Sequence, residues 1–321
     1  MHFDGKPRRG SGVWGATLVL FAALSLTEEV PAHPDLTEAQ DMIAHAIEED
    51  PENAALYLRR GTLETKRRDW DAAAASWLKA ASLGADRNIT DVALANALRE
   101  SGLNKAALAA AEIALDRDDR NGPAYLARAQ IHQSSGRDRE CADDFRRAVE
   151  LIERPQPGMV LLAMDVQLMR PAGESDAGTA PQGEDEPDAP DASGNLRGVN
   201  VLAALDVADA AQSKLGPIAA IQERALELEL ELGRNDRALE RIDTLIAQAP
   251  KHPIWVARRA EILEADGKLL AAAEGYQQAV SLIAARPPDR RSDKLVALEN
   301  ALRKKLAEIK AAEDADRSQG E

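Results

Sequence analysis

Small and apolar residues recur along this chain at a spacing of 34. Ala73, Ala107 and Cys141 follow it, as do Trp77, Ala111 and Phe145, and Ala80, Ala114 and Ala148, with Gly102 and Gly136 in the same register. A period of this length makes each unit one supersecondary element, which buries its core only by stacking on its neighbours. Within a unit, two apolar patterns of helical period flank a break, as in residues 56–66, then Arg67-Arg68-Asp69, then residues 70–81. Each unit is therefore predicted to be a helical hairpin. Asp50-Pro51 and Ala249-Pro250 stand where second helices end and proline no longer interrupts helical hydrogen bonds. Composition agrees: 45% hydrophobic and 30% charged residues, with only 3% aromatic, suit long helices packed through small faces and argue against a β-sandwich or β-barrel.

The later copies keep the same spacing among themselves, at Ala204, Ala238 and Ala272 and at Gly233 and Gly267, but they are out of phase with the first set. After Cys141 the next equivalent belongs at residue 175 and is found at Ala204, an excess of 29 residues. The excess coincides with residues 171–198, rich in Pro, Gly and acid, which bury too little apolar surface to offset their ordering entropy and are predicted to be a disordered insert. Residues 157–170 then read as the first helix of a fourth unit and 199–214 as its second. The expected chain is a half-repeat helix over residues 36–50 and units beginning near residues 54, 88, 122, 156, 219 and 253. A capping helix follows within 291–312, and residues 313–321 are predicted to be a disordered tail. In the capping helix Leu295, Leu298, Leu302, Leu306 and Ile309 form one apolar stripe, as the exposed end of a repeat stack requires.

These residues resemble the tetratricopeptide repeat family. The resemblance rests on Pro51, Tyr57-Leu58-Arg59-Arg60-Gly61, Ala73, Trp77 and Ala80, on Tyr125, Ala129, Gly136, Phe145 and Ala148, and on Gly233, Ala238, Gly267, Ala272, Tyr276 and Ala279. Arg60 and Arg128 depart from the usual Leu, and the second unit has Asp91 and Ala111 in place of its two aromatics. The resemblance implies an all-α, right-handed superhelical solenoid of about six antiparallel helix pairs, whose first helices line a concave face and bind a partner peptide or protein. The family's contact positions fall on Leu58, Val92, Leu126 and Val160, an apolar row, and on Thr62, Asn96, Gln130 and Met164, a mostly polar row. In the last two units they include Glu223, Glu227, Glu231, Glu261 and Glu264, an acidic stretch that would favour a basic partner. The family's basic clamp on a C-terminal carboxylate is not expected, because the positions that would carry it are Leu58, Thr62 and Ala93. The expected role is a scaffold or adaptor. The alternative is an accessory subunit that positions an envelope enzyme or assembly complex.

Residues 1–32 read as an export signal: Lys6, Arg8 and Arg9 precede an uncharged apolar run over residues 13–26, and Val30-Pro31-Ala32 offers a small-residue cleavage site. The run is shorter than the ~20 residues a membrane-spanning helix needs, so cleavage near Ala32 and a periplasmic or secreted chain starting at His33 are expected, with a retained anchor as the alternative. A net charge of −15 disfavours nucleic acid and anionic lipid as partners. The single cysteine, Cys141, excludes an intrachain disulfide framework and a multi-cysteine metal site, and its register makes it a buried small residue. His33, His45, His132 and His252 contain no helical i, i+3 or i, i+4 pair, and His132 takes a packing slot. His33 at a new N-terminus would present an amine and an imidazole to copper, a remote enzymatic alternative beside its reading as a frayed end. Asn88-Ile89-Thr90 is formally a glycosylation acceptor. With no phosphate loop, nucleophile elbow or paired catalytic carboxylates, no catalytic residue, cofactor or metal is expected.

Overall fold

A computed structural model of the protein describes residues 36–169 and 192–319. The predicted export signal, His33 and the insert up to residue 191 lie outside them. Among the described residues there are fourteen α-helices, one 3-10 turn and no strand. They belong to two compact bodies, one ending at Ile131 and the other starting at His132. The first holds α1 (Leu36–Glu49), α2 (Ala54–Arg67), α3 (Trp70–Ser82), α4 (Arg87–Glu100), α5 (Asn104–Arg117) and most of α6 (Gly122–Ser134). The second holds the end of α6, then α7 (Asp138–Leu151), α8 (Pro157–Leu168), α9 (Ala192–Leu215), α10 (Ala219–Glu231), α11 (Asn235–Gln248), α12 (Pro253–Ala265), α13 (Leu269–Ala284) and α14 (Asp293–Gln319).

The predicted first helices start within a residue of their expected positions, because the signals there are local. Asn53 and Asp86 cap α2 and α4 by accepting the amides of Ala55 and Asn88, and Pro157 and Pro253 stand in the first turns of α8 and α12. The first helices of repeats one, two, three, five and six end alike. The amides of Asp69, Leu103, Arg137, Arg234 and Lys268 each close back on the carbonyl five residues earlier, at 2.9–3.0 Å. This closure needs one residue in the left-handed region. Gly102, Gly136, Gly233 and Gly267 supply it without strain, whereas repeat one uses Arg68, at φ 62°.

Consecutive helices within each body pack on one another: α1, α2, α3, α4 and α5 in order in the first, and α10 to α14 in order in the second. Ala73, Ala80, Ala107, Ala114, Ala238 and Ala272 are all fully buried at these contacts. The closeness has a measurable cause. A Cβ on Gly61 would lie 2.8 Å from the Trp77 ring, and one on Gly275 would lie 2.8 Å from the Ala260 Cβ. Small residues therefore let a facing aromatic or backbone approach, which explains a core rich in alanine and poor in aromatics. At the C-terminal end Leu295, Leu302 and Ile309 of α14 are buried against α12 and α13, with Leu298 and Leu306 beside them.

Two helices exceed their predicted bounds. α9 starts at Ala192, within the segment expected to be disordered, and α14 runs to Gln319 instead of ending near residue 312. The last proline before α9 is Pro190, so no residue after it blocks backward growth of a helix whose face at Val201, Ala204, Leu205 and Ala208 is already buried. Adding residues to a formed helix costs far less than nucleating one. Averaging acidity over the whole insert hides this boundary.

Candidate partner-binding face

In the first body the expected contact residues lie at equivalent places on α2, α4 and α6. The apolar row is partly consumed by packing. Leu58 is half-buried against Ala73, Ala74, Trp77 and Ala97, and Val92 is 3% exposed within the next core cluster, with Ala107, Ala110 and Ala111. Leu126 is half-buried. The polar row is different. The Thr62 hydroxyl donates to the Leu58 carbonyl at 2.8 Å, an internal bond. Asn96 and Gln130 are half-buried, and their side-chain amides bond to no other group among the described residues. Two amides at the same position of successive repeats are thus left for another molecule or water.

In the second body the expectation fails for repeat four. Val160 and Met164 are fully buried and offer no surface. The reason lies in α8 itself, PGMVLLAMDVQL, which is apolar almost all round, as befits a helix enclosed by others. It packs against α7, α9 and α10, and even its Gln167 is buried, with Nε2 donating to the Ala142 carbonyl at 2.7 Å.

The acidic stretch is present but already answered by the chain. Glu223 accepts the Trp255 indole N–H at 2.8 Å, Arg224 bonds Glu227 at 3.5 Å and Asp165 at 2.9 Å, and Arg258 bonds Glu261 at 2.9 Å. Glu231 pairs with Arg197. Glu264 accepts the Tyr276 hydroxyl at 2.5 Å and also pairs with Lys305 of α14. The hydrogen bonds from Lys305 and Tyr276 hold the Glu264 carboxyl below its ordinary range, while burial and the bond to Glu264 push the Tyr276 phenol up. These glutamates are therefore not a bare acidic strip.

A set of polar pairs escaped the sequence reading. At positions eleven and twenty-three of their repeats stand Glu64 and Ser76, His132 and Asp144, and Glu229 and Arg241, all six buried. The Ser76 hydroxyl donates to Glu64 Oε2 at 2.5 Å, His132 Nε2 lies 3.6 Å from Asp144, and Arg241 Nη2 bonds Glu229 at 2.9 Å. Arg241 also reaches Asp209 of α9 at 3.0 Å, and Arg234 lies 3.3 Å from Glu229. The signal was available: polar residues twelve apart, each inside an otherwise apolar stripe. These pairs join the helices of one hairpin, and being buried they are closed to a partner.

Cys141 is buried, and burial first, then Asp138 and Asp144, pushes its thiol up to about 12. His252 stacks on Trp255 at 4.2 Å, and burial and the nearby Arg286 lower its basicity. His45 is exposed on α1, 3.6 Å from Glu48. Among the described residues no three His, Cys, Asp or Glu gather to hold a metal ion, and no helix is long and apolar enough to cross a membrane.

Comparison with known proteins bears on the repeats. Residues 33–87 and 224–290 match the tetratricopeptide repeat family model. No curated protein matches the chain. Among solved structures, a tetratricopeptide repeat protein from Parabacteroides merdae is 17% identical, with 84% of this chain and 92% of that one covered and a TM-score of 0.39. The C-terminal part of a TPR repeat-containing protein from Cytophaga hutchinsonii is 11% identical over 82% and 94% of the two chains, with a TM-score of 0.49. YrrB, described as a TPR protein with an unusual peptide-binding site, is 16% identical over 83% and 100%, with a TM-score of 0.33.

Proposed function

We propose that the chain, whose residues 33–87 and 224–290 match the tetratricopeptide repeat family model, is a scaffold that binds a protein or peptide segment along the first helices of repeats one to three. One observation carries this reading: Asn96 and Gln130, one repeat apart, keep half-buried amides that the fold does not use, whereas the amides of Gln167 and Gln248 are bonded to carbonyls at 2.7 Å. An amide offers a donor and an acceptor together, which is what a peptide backbone requires. Leu126 supplies apolar surface beside Gln130, while Leu58 and Val92 serve mainly the core. The test is a photo-crosslinking residue placed at position 96 or 130, compared with positions 78 and 113, where Leu78 and Ile113 are exposed on second helices. The same partner captured from 96 and 130, and not from 78 and 113, is expected. Equal capture at all four positions, or none at 96 and 130, would refute the assignment.

We further propose that the chain is exported. Its support is the order of basic residues, apolar run and small-residue site over residues 6–32. N-terminal sequencing of protein purified from its own cells should begin at His33. Retention of residues 13–26 would overturn cleavage.

A further inference from the structure

We propose that α1 is one half of a helix pair whose other half comes from a partner protein, as an amphipathic helix with basic flanks. This surface lies outside the first helices of repeats one to three and is independent of them.

α1 has the register of a second helix. Ala39, Met42, Ile43 and Ala46 stand 34 residues before Ala73, Ser76, Trp77 and Ala80 of α3, all four of which are buried. The same four places are buried in α5, α7, α9 and α11, and in α13 only Gly275 is partly exposed. The first helix of the same repeat does much of this covering: in repeat one Ser76 meets Glu64 of α2, and the Trp77 ring meets Gly61. Among the described residues α1 has no such companion. It packs on α2, none of its residues is buried, and Met42 is 60% exposed. An apolar face kept in register and left open is one that another chain is free to cover.

The missing helix can be described from what α1 presents to it. Position twenty-three of a repeat is polar where the first helix offers a polar partner, as for Ser76 with Glu64, Asp144 with His132 and Arg241 with Glu229. In α1 that position is Met42, so the occupant brings an apolar side chain there. The charge of the occupant follows from the margin of the same face. α1 carries Glu38, Asp41, Glu48 and Glu49 with neither Lys nor Arg, and no other described helix has more than one carboxylate without a Lys or Arg. Glu38 stands four residues before Met42 and Glu49 seven after, so both border the methionine. They are ~16.5 Å apart along the axis, the interval between cations eleven residues apart on a partner helix.

The second body contains a helix of this kind: α14 covers α13 with Leu295, Leu302 and Ile309 buried, and its Lys305 pairs with Glu264. A second copy of α1 is a poor occupant, because two such flanks would set the carboxylates of one against those of the other. A nucleic acid or an anionic membrane meets the same repulsion.

The test uses the full chain and three labelled, end-blocked helical peptides read by fluorescence anisotropy. The first has leucines at i, i+3, i+4 and i+7 spacing with lysines eleven residues apart beside them; the second has glutamate for lysine, and the third glutamine for leucine. The first should bind at least about tenfold more tightly than either of the others. Met42→Gln should weaken it about tenfold, whereas Met42→Leu should bind as the native chain does. Glu38→Gln with Glu49→Gln should remove the preference for lysine over glutamate, and if Glu38→Gln frays α1, Glu49→Gln alone should reduce it. Leu270→Gln, at a more exposed apolar residue, and Glu112→Gln with Glu274→Gln, an equal charge change on exposed residues of α5 and α13, should leave binding within about twofold. Equal binding of the lysine and glutamate peptides, full binding by Met42→Gln, or equal loss in the controls would overturn the proposal. So would a chain that self-associates in sedimentation and is dissociated by Met42→Gln, since the occupant would then be a second copy. Capture at positions 96 and 130 bears on the first-helix reading alone.

Discussion

Position 68 should reverse the usual ranking of alanine and glycine. Arg68 has φ 62° and ψ 26°, and its N–H and that of Asp69 close on the carbonyls of Thr65 and Glu64 at 3.1 and 2.9 Å, so the left-handed geometry is fixed by two hydrogen bonds. A side chain there costs ~1–2 kcal/mol relative to glycine. Against this, glycine loosens the unfolded chain by ~0.4–1 kcal/mol. The balance favours glycine over alanine at position 68 by about 0.5–1 kcal/mol, the opposite of the order in a helix interior. Alanine is the right comparison, because both variants lose the same cation near the α2 C-terminus. The mirror experiment is Gly102→Ala and Gly267→Ala. A Cβ at either site meets nothing within 4 Å, so the cost is conformational alone and should equal the gain at 68 with the sign reversed. Urea titration by far-UV circular dichroism gives the midpoints, compared only between variants of unchanged slope. Because repeat arrays need not unfold in one step, amide exchange in α2 and α3 should localise the gain. Alanine at 68 matching or exceeding glycine would refute the strain assigned to this turn.

Arg241→Met should cost about 3 kcal/mol by leaving the buried Glu229 with Arg234 as its one remaining cation, whereas adding Glu229→Leu should recover much of the loss, which a double-mutant cycle in urea will show. Cys141, pushed up to about 12 by burial, holds roughly one thiolate in ten thousand at pH 8, so a disulfide reagent should label it only after unfolding; prompt stoichiometric labelling of native protein would contradict its burial. Glu264 has a lowered carboxyl, so its contribution is complete above the ordinary value of 4.5 and disappears as pH falls through the folded one. Glu264→Gln should therefore flatten the acid limb of thermal stability, and an unchanged limb would show that Lys305 and Tyr276 do not hold it. Lys214 donates to the carbonyls of Val149 and Ile152 at 2.8 Å and to that of Glu150, so Lys214→Met should cost about 1–3 kcal/mol, read as a lower calorimetric midpoint.

The repeat was legible because its constraints are local and strict. Ala73 and Ala107 must be small, Gly102 and Gly267 must accept positive φ, and a capping Asn or Asp announces α2 and α4. Such requirements leave a mark at fixed spacing. The contact face was less legible, because a repeat position says where a residue points relative to its own hairpin and not what covers it. Val160 has the same position as Leu58 yet is fully buried, since α8 is closed in by α7, α9 and α10. The acidic stretch shows both cases. Arg224 with Glu227 and Arg258 with Glu261 are three apart on a helix and readable from sequence. Trp255 with Glu223 and Lys305 with Glu264 are 32 and 41 residues apart, and only folding brings them together.

Net charge says which sign dominates, not which charges are available to a partner. The second body contains both the acidic stretch that composition made conspicuous and the cations that answer it, so a basic ligand there would have to displace Arg224, Arg258 or Lys305 from bonds already made. Arg224 with Glu227 and Arg258 with Glu261, each three residues apart on one helix, show how such charges are answered by the fold itself.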